Sequence, residues 1–326
     1  MTKPLIVGAG SPLVDLLVEE DDAFVERLGS EKGGMELVDS DVIDGAVQST
    51  SAEVSYVPGG SACNTLVGIG KLGGRARMIG RLGKDSLADI FQNGLSTAGV
   101  ESGIIQSDAP TGRVLSVVTP DAQRTMFTCL GAAAEFHPDD VDGSHFEAAT
   151  IVHVEGYQLF NRALVDKILT LSRQSGAKLS LDLASFQVVR ACKPLLEQII
   201  PESVDILLAN EDEAKEFSGV GEEESLEQFA KLVDIAVVKL GERGALIARG
   251  DERLQVNASL VEAIDTTGAG DLWASGFLYG IAHGLDLERS ARLGAAVAAE
   301  VVQVLGAAIP DERWEELRRL RDRLME

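Results

Sequence analysis

The stretch Asp265-Thr-Thr-Gly-Ala-Gly-Asp271 decides how the rest of the sequence is interpreted. It lies between an apolar run that ends at Ile264 and a long apolar segment, Leu272 to Leu285, which predicts a buried helix. Glycines let a ligand approach the backbone closely, because they carry no Cβ. The start of a helix adds unpaired N–H groups and a partial positive charge. The stretch therefore predicts an anion-binding loop suited to phosphate.

Asp271 follows the second glycine and lies inside the predicted first turn of this helix. A carboxylate at this point does not bind an anion, but it can take a proton from a hydroxyl that attacks one. A bare Gly-x-Gly turn is also typical of a helix that packs closely on a sheet. The two threonines and the second aspartate favour the catalytic interpretation.

A second glycine-rich stretch, Pro58-Gly-Gly-Ser-Ala-Cys-Asn-Thr65, follows a predicted strand at Val54–Val57. Ser61 is predicted as the N-cap of a helix that runs to about Lys71. Asn64 lies one helical turn further and offers both a donor and an acceptor. The spacing alone is compatible with a ligand site and with a capped helix that carries an ordinary amide.

Together the two stretches resemble the signatures of the ribokinase-like (PfkB) family of carbohydrate and nucleoside kinases. The resemblance implies a catalytic base, Asp271, and an anion hole formed by the amides of Gly268, Ala269 and Gly270. The residues that it implies in contact with the hydroxyls of a sugar or ribose are Gly59, Gly60 and Asn64.

The N-terminal region contains a predicted strand that begins at Leu5, a turn at Gly10-Ser-Pro12, and a second strand at Val14–Val18. The second strand alternates as a partly exposed edge strand would. An aspartate such as Asp15 in such a strand is often solvated, but the matching aspartate of the family binds substrate hydroxyls. Ser11 stands where adenosine kinases usually carry asparagine, which leaves base or ribose recognition at this position open.

The segment 19–40 is polar and looks like an insertion or part of a lid, with a short helix predicted around Ala23–Leu28. Two β-rich runs, Thr111–Pro120 and Arg124–Leu130, are predicted to form a hairpin with a turn at 121–123. A small β-rich lid is expected from about 12–57 and 108–130. Arg124 is either solvated or, as the resemblance to adenosine kinases implies, close to the transferred phosphate.

From residue 150 onward, apolar strands alternate with amphipathic helices. This alternation predicts a parallel sheet with helices on both faces. Ligands of such sheets bind at the carboxyl ends of the strands. The residues at these predicted ends are Glu155, Gly156, Asp182, Asn210, Glu213 and Lys239–Gly241.

The resemblance implies a nucleotide side for several of these residues. Asn210 and Glu213 match the family's N-x-x-E motif, with Glu213 beside Mg²⁺, most simply through water. The same pattern also fits a capped helix start. Phe186 matches a base-stacking aromatic of adenosine kinases. The nucleotide-side loop would contribute Lys239, Gly241 and Gly244, and the predicted helices Leu287–Leu305 and Asp311–Met325 would line the adenine side.

Gly68-Ile-Gly-Lys-Leu-Gly73 matches the dinucleotide fingerprint G-x-G-x-x-G. It follows a predicted helix and precedes a predicted strand, Ala76–Ile79, which is the reverse of the order that the fingerprint requires. We interpret it as the end of a helix. The dehydrogenase hypothesis is therefore disfavoured.

The formal net charge of −23 argues against nucleic acid and anionic membranes as partners. Three widely spaced cysteines (Cys63, Cys129 and Cys192) indicate free thiols in a reducing environment. The N-terminus shows no signal-peptide pattern, and the expectation is a soluble cytoplasmic protein.

The predicted fold is a single ribokinase-like α/β domain over residues 1–326, with a mostly parallel sheet, helices on both faces and the lid. The expected reaction moves the γ-phosphoryl group of ATP, with Mg²⁺, to a primary hydroxymethyl of an adenosine-like ribonucleoside. The alternatives are a simple sugar kinase of the ribokinase, fructokinase or 2-keto-3-deoxygluconate kinase type, and a non-catalytic nucleotide- or sugar-binding regulator. A monovalent-cation requirement and the choice between monomer and homodimer stay open.

Overall fold

The computed structural model describes residues 3–29, 32–121 and 123–326. Its strands are β1 (Leu5–Ala9), β2 (Leu13–Glu19), β3 (Met35–Leu37), β4 (Ser55–Gly59), β5 (Arg75–Leu82), β6 (Val100–Gln106), β7 (Gly112–Val118), β8 (Arg124–Cys129), β9 (Ala149–Glu155), β10 (Lys178–Asp182), β11 (Ile206–Asn210), β12 (Ile235–Lys239), β13 (Ala245–Arg249) and β14 (Glu252–Val256). Its helices are α1 (Asp22–Arg27), α2 (Ser40–Ser49), α3 (Ser61–Lys71), α4 (Ser86–Thr97), α5 (Arg162–Ser175), α6 (Phe186–Ser203), α7 (Glu211–Ser218), α8 (Glu222–Phe229), α9 (Ala269–Ala282), α10 (Leu287–Val301) and α11 (Asp311–Met325).

The large sheet has the strand order β14-β13-β12-β11-β10-β9-β1-β5-β6. The strands from β12 to β6 in this order run parallel, and β13 and β14 extend the sheet as antiparallel strands. Alternate residues of β11 enter two separate cores, Ile206 and Leu208 with α3, α9 and α10, and Leu207 and Ala209 with α5 to α8. The predicted parallel sheet with helices on both faces is confirmed.

A second, five-stranded sheet has the order β3-β8-β7-β2-β4. β7 and β8 pair antiparallel, as the hairpin prediction requires, although Ala122 of the predicted turn lies outside the described residues. β2 lies between β7 and β4 and is buried from Leu13 to Val18, so the prediction of a partly exposed edge strand is wrong. Both faces of β2 are covered from Leu13 to Val18, and Asp15 is the one charged residue within that stretch.

The insertion at 19–40 contains α1 and β3, while its residues Ser30 and Glu31 lie outside the described part of the chain. The predicted helix Leu287–Leu305 ends earlier, at Val301. The residues that follow turn back, and the Val302 carbonyl accepts hydrogen bonds from the amides of Ile264 and Asp265. This contact joins the segment after α10 to the start of the stretch 265–271.

The stretch Gly68–Gly73 spans the end of α3 and leads directly into β5, so the interpretation as a helix end is confirmed. β14 was not predicted, because its sequence is polar and exposed on one face. Within residues 3–29, 32–121 and 123–326, no helix combines the length and the apolar character needed to cross a membrane.

Candidate active site

The N-terminus of α9 offers several unpaired backbone donors. Gly268 is the N-cap, with a φ of 70°, and Asp271 is the third residue of the helix. The amide of Ala269 donates to the Thr266 carbonyl at 3.2 Å, so this amide already has an acceptor within the loop. Among the described residues, the amides of Gly268, Gly270 and Asp271 find no acceptor. These three donors are therefore the ones available to an anion.

The carboxylate of Asp271 is held by α3. Ser61 Oγ donates to Asp271 Oδ1 at 2.7 Å, and Asn64 Nδ2 donates to Oδ2 at 3.0 Å. Thr65 Oγ1 donates to the Asp271 carbonyl at 3.1 Å. The prediction of Ser61 as N-cap is wrong: Gly60 is the N-cap and has no side chain, while the Ser61 hydroxyl is used to orient Asp271. The two signature stretches, some 200 residues apart, therefore meet at one carboxylate.

Burial raises the pKa of Asp271, and the hydrogen bonds from Asn64 and Ser61 oppose part of that rise. A carboxylate with a raised pKa is a stronger base than an exposed aspartate. The two hydrogen bonds fix its orientation at the same time. The group is thus suited to accept a proton beside the free amides.

Asp15 is buried against the glycines of the second stretch. A Cβ atom on Gly59 would lie 2.4 Å from the Asp15 carboxyl group, and one on Gly60 would lie 2.2 Å from the Ser11 carbonyl oxygen. Only glycine fits these two positions without displacing the backbone or Asp15. Burial raises the pKa of Asp15 to about 7, although the charge of Arg124 lowers it in part.

A buried carboxylate ties the turn at Ser11 to the start of α3. Glu155 Oε1 accepts from the Ser11 amide at 2.8 Å, and Oε2 accepts from the Ala62 amide at 3.0 Å. Gln158 Nε2 donates to Glu155 Oε1 and to Ser11 Oγ, each at 3.0 Å. Glu155 was predicted at a strand end, whereas Gln158 was missed because it lies in the 3₁₀ turn 156–160, where the sequence carries no motif.

Arg124 connects the small sheet to the stretch before α9. Its Nη1 atom donates to Thr267 Oγ1, which in turn donates to Asp265 Oδ1 at 2.6 Å. Asp265 Oδ2 accepts from the Gly306 amide at 2.8 Å. The two aspartates of the stretch thus have different partners. Asp265 stabilises the loop through hydrogen bonds from Thr267 and Gly306, whereas Asp271 is held by side chains of α3.

Lys239 lies beside the same loop, at Gly270. Its Nζ atom donates to Asp182 Oδ2 at 2.7 Å, and both side chains are largely buried. A Cβ atom on Gly270 would lie 3.1 Å from Lys239 Nζ. The structure therefore brings Lys239, from the predicted nucleotide-side loop, next to Gly270, which carries one of the free amides.

Asn210 and Glu213 form a capping box at the start of α7. Asn210 Oδ1 accepts from the Glu213 amide, while both Glu213 oxygens accept from Asn210, each at 2.8 Å. Burial, followed by the charge of Asp182, raises the pKa of Glu213 to about 7. Because both carboxylate oxygens are already engaged, the pair fits a Mg²⁺ ion better through bound water than by direct ligation.

The remaining predicted residues lie at the rim. Phe186 is the first residue of α6 and is 38% exposed, with the guanidinium of Arg190 lying 5.6 Å from its ring centre. Gly241 and Gly244 flank a short 3₁₀ turn after β12, where the Leu240 amide donates to the Gly244 carbonyl. None of these three has a hydrogen bond to Asp271 within the part of the chain that the structure describes.

Comparison with known proteins identifies the family to which this arrangement belongs. Residues 35–314 match the model of the pfkB family of carbohydrate kinases. The chain belongs to this family. It is 27% identical to adenosine kinase of Saccharomyces cerevisiae, in an alignment that covers 96% of this chain and 98% of the yeast protein.

Two solved structures of this pfkB family fold are also similar over nearly the whole chain. A probable sugar kinase from Rhizobium etli has a TM-score of 0.90 and 32% identity, in an alignment that covers 98% of this chain and 99% of the Rhizobium chain. Adenosine kinase from Sinorhizobium meliloti has a TM-score of 0.89 and 31% identity, with the same coverage. The protein is therefore an ATP-using phosphotransferase of the sugar and nucleoside kinase kind.

Proposed function

We propose that the protein transfers the γ-phosphoryl group of ATP to the primary hydroxymethyl of an adenosine-like ribonucleoside. The observation that carries the proposal is Asp271, oriented by Ser61 and Asn64 beside the free amides of Gly268 and Gly270. The arrangement puts a base next to a site for the phosphoryl group that the deprotonated hydroxyl attacks.

In the proposed reaction Asp271 takes the proton of the substrate hydroxymethyl. The hydroxyl oxygen forms a bond to the γ-phosphorus, the bond from that phosphorus to the β–γ bridging oxygen breaks, and ADP leaves. The free amides at the start of α9 hold the phosphoryl oxygens in place during the transfer. Asp15, Gly59, Gly60, Asn64 and Ser11 are the residues proposed to hold the substrate.

Two further elements of the proposal are a Mg²⁺ ion, which acts on the charge of the ATP phosphates, and a lid, which keeps water from the reacting groups. Mg²⁺, held through water near Asn210 and Glu213, would neutralise charge on the ATP phosphates. We propose that the small sheet, within about 12–57 and 108–130, is a lid that closes over the substrate, with Arg124 as its contact to the loop at Thr267. Exclusion of water by the lid would limit hydrolysis of ATP.

A simple sugar kinase is the second candidate. Ser11 favours this candidate, because it replaces the asparagine expected of adenosine kinases and its hydroxyl already accepts a hydrogen bond from Gln158. The similarity to the Rhizobium etli sugar kinase favours it as well. The adenosine-like substrate is favoured by the Sinorhizobium meliloti and yeast relatives and by the exposed Phe186, which would stack on a base.

The substrate is tested by ATP consumption with Mg²⁺ against adenosine, inosine, cytidine, ribose, fructose and 2-keto-3-deoxygluconate. Turnover of nucleosides alone supports the proposal. Turnover of a free sugar alone supports the second candidate and rejects the first. Omission of Mg²⁺, and replacement of Na⁺ by K⁺, test the metal and the monovalent cation in the same assay.

The base is tested with Asp271→Asn, for which we expect kcat to fall by about 10²–10⁴-fold. ATP binding, measured by calorimetry, is expected to change little, because the backbone amides stay in place. Asp166→Asn, at an exposed aspartate of α5, is the matched control and is expected to keep full activity. Near-normal turnover by Asp271→Asn would show that another group is the base.

A further inference from the structure

The pair Lys239–Asp182 joins the carboxyl ends of β12 and β10 across β11, and we call it the carboxyl-end pair. Its side chains are 13% and 5% exposed. Lys239 Nζ donates to Asp182 Oδ2 at 2.7 Å, while Asp182 Oδ1 accepts from the Ala184 amide at 3.0 Å. An ammonium group has three donors, so two remain beyond the bond to Asp182.

The ammonium group lies beside the loop that would hold a phosphoryl group. A Cβ atom on Gly270 would be 3.1 Å from Lys239 Nζ, which places this charge against the second residue of α9. Arg124 approaches the same loop at Thr267, from the small sheet. Two cations therefore contact the loop, Lys239 at Gly270 and Arg124 at Thr267.

The groups that face Lys239 keep it charged. Burial alone would lower the pKa of Lys239, but the charges of Asp182, Glu213 and Asp271 outweigh burial and raise it. His153, on β9, also lies near the pair, and burial lowers its pKa to about 4, so the imidazole is neutral. The site thus holds a buried ammonium among carboxylates.

Fold stability does not account for this pair. Taking two charges out of water costs roughly what their attraction returns, and apolar side chains of similar volume often replace such pairs without loss. The same strands already carry a lysine–aspartate pair at their other ends, Lys178 with Asp234, which we call the amino-end pair. A second, buried pair at the ligand end therefore calls for a functional explanation.

We propose that Lys239 is a catalytic residue that binds the oxygens of the transferred phosphoryl group, and that Asp182 is its positioning residue. This inference rests on the proposed function and adds a residue to it. Asp182 holds the ammonium beside Gly270 before ATP arrives, and the two free donors of Lys239 then bind the γ-phosphoryl oxygens.

Lys239 acts neither as an acid nor as a base in the chemical step. The proton of the hydroxymethyl passes to Asp271, the new bond joins the substrate oxygen to phosphorus, and the electron pair of the broken bond leaves with ADP. Lys239 remains protonated throughout. It stabilises the charge on the equatorial phosphoryl oxygens during the transfer.

The test compares Lys239→Met with Lys178→Met, which changes the matched lysine of the amino-end pair. For Lys239→Met we expect kcat to fall by about 10²–10³-fold, the loss typical of one preorganised charge-stabilising donor. We expect its affinity for ATP to fall by about 10- to 100-fold while its affinity for ADP changes little, because only ATP carries the γ-phosphoryl group. Lys178→Met is expected to change neither.

Lys239→Arg keeps the positive charge and is expected to restore part of the preference for ATP over ADP. Equal losses of ATP and ADP affinity in Lys239→Met would overturn the inference, since the lysine would then not distinguish the γ-phosphoryl group. A kcat equal to that of the native protein would overturn it as well. Thermal unfolding shows whether Lys239→Met folds. If it does not, the double variant Lys239→Met with Asp182→Asn is used, because it leaves no buried carboxylate without a cation.

Asp182→Asn tests the positioning role by a double-mutant cycle. Alone, it is expected to lower kcat less than Lys239→Met does, with little change in the KM for ATP. In a Lys239→Met background it is expected to have no further effect on kcat, because it acts through the lysine. Independent, additive losses would show that Asp182 does not position Lys239.

Failure of the proposed function and failure of this inference are distinguishable. If the native protein phosphorylates no compound of the panel, the proposed function fails. The binding comparison of ATP with ADP needs no acceptor and still decides the role of Lys239. If nucleosides are phosphorylated and Lys239→Met keeps both its kcat and its ATP preference, this inference alone fails.

Discussion

The two ends of β10 and β12 carry the same pair of residue types in opposite surroundings. At the amino ends, Lys178 Nζ and Asp234 Oδ2 are 2.7 Å apart, with side chains 42% and 40% exposed. At the carboxyl ends, Lys239 Nζ and Asp182 Oδ2 are also 2.7 Å apart, but with side chains 13% and 5% exposed. The distances are equal, so burial rather than contact geometry distinguishes the pairs.

The two pairs show that opposite ends of one parallel sheet hold an exposed and a buried ion pair. Water screens the amino-end pair, which limits what its charges do to each other and to a ligand. At the carboxyl ends, the surrounding protein excludes most of the water from Lys239 and Asp182. The same attraction acts more strongly there, and so does any attraction to a bound phosphate.

The largest difference in stability is expected between alanine variants of two glycines, Gly60 at the start of α3 in the candidate active site and Gly176 near the amino end of β10. Gly60 has a φ of 98° and faces the Ser11 carbonyl, whereas Gly176, just before β10, has a φ of 76° and nothing near its missing side chain. Gly60→Ala is expected to lower the free energy of unfolding by about 4 kcal/mol or more, because strain and a backbone clash add.

Gly176→Ala is expected to cost only about 1 kcal/mol, from its left-handed conformation alone. Urea unfolding of both variants measures the two values. Gly60→Ala should also weaken substrate binding, since it displaces the turn at Ser11, while Gly176→Ala should leave binding intact. Equal destabilisation by the two variants would contradict the view that the candidate active site is the more constrained region.

The pH dependence of stability is expected to have opposite signs at Asp15, which is buried on β2 beside the candidate active site, and at Asp234 of the amino-end pair. Burial raises the pKa of Asp15 from 3.8 to about 7, so the folded protein favours the protonated form. At Asp234 burial acts in the same direction, but the hydrogen bond and charge of Lys178, with the charge of Arg249, lower the pKa overall. Asp15 therefore destabilises the fold as pH rises from about 4 to 7, whereas Asp234 stabilises it above about pH 4.

Asp15→Asn is accordingly expected to stabilise the fold at pH 8, by up to about 4 kcal/mol, and to have little effect at pH 4. Asp234→Asn is expected to lower stability slightly at pH 8 and to lose this effect as the pH falls below about 4. Thermal unfolding across this pH range measures both. A stabilisation by Asp15→Asn that does not change with pH would show that its ionisation is not the cause.

Much of this arrangement was predictable from the sequence, because the decisive residues lie in motifs with local physical meaning. The glycines before Asp271 predicted a helix start with free amides, and apolar strands at 151–154, 178–183 and 204–209 predicted the parallel sheet. The family resemblance implied that Asn64 and Asp271 serve one substrate site. The hydrogen bond between them was not predicted, since no local rule joins residues some 200 positions apart.

What the sequence did not show depends on tertiary contacts between single side chains. Ser61 has the chemistry of an N-cap, but its hydroxyl finds the more favourable carboxylate of Asp271. The Ala269 amide is paired with Thr266, which local spacing does not reveal. The partnership of Lys239 with Asp182 crosses a whole strand, so neither residue alone indicated that the other would fix its position.

The smallest effect is expected at the amino-end pair itself. Lys178→Met removes one exposed ion pair, and Asp234 keeps its contact with Arg249, so the free energy of unfolding should change by about 0–1 kcal/mol. Because the pair is exposed, the change should shrink further at 1 M salt, where charges are screened within about 3 Å. Urea unfolding at low and high salt measures it. A loss of stability well above this range that does not depend on salt would mean that the amino ends are as poorly solvated as the carboxyl ends. The two pairs would then differ only in where they lie along the strands, and not in solvation.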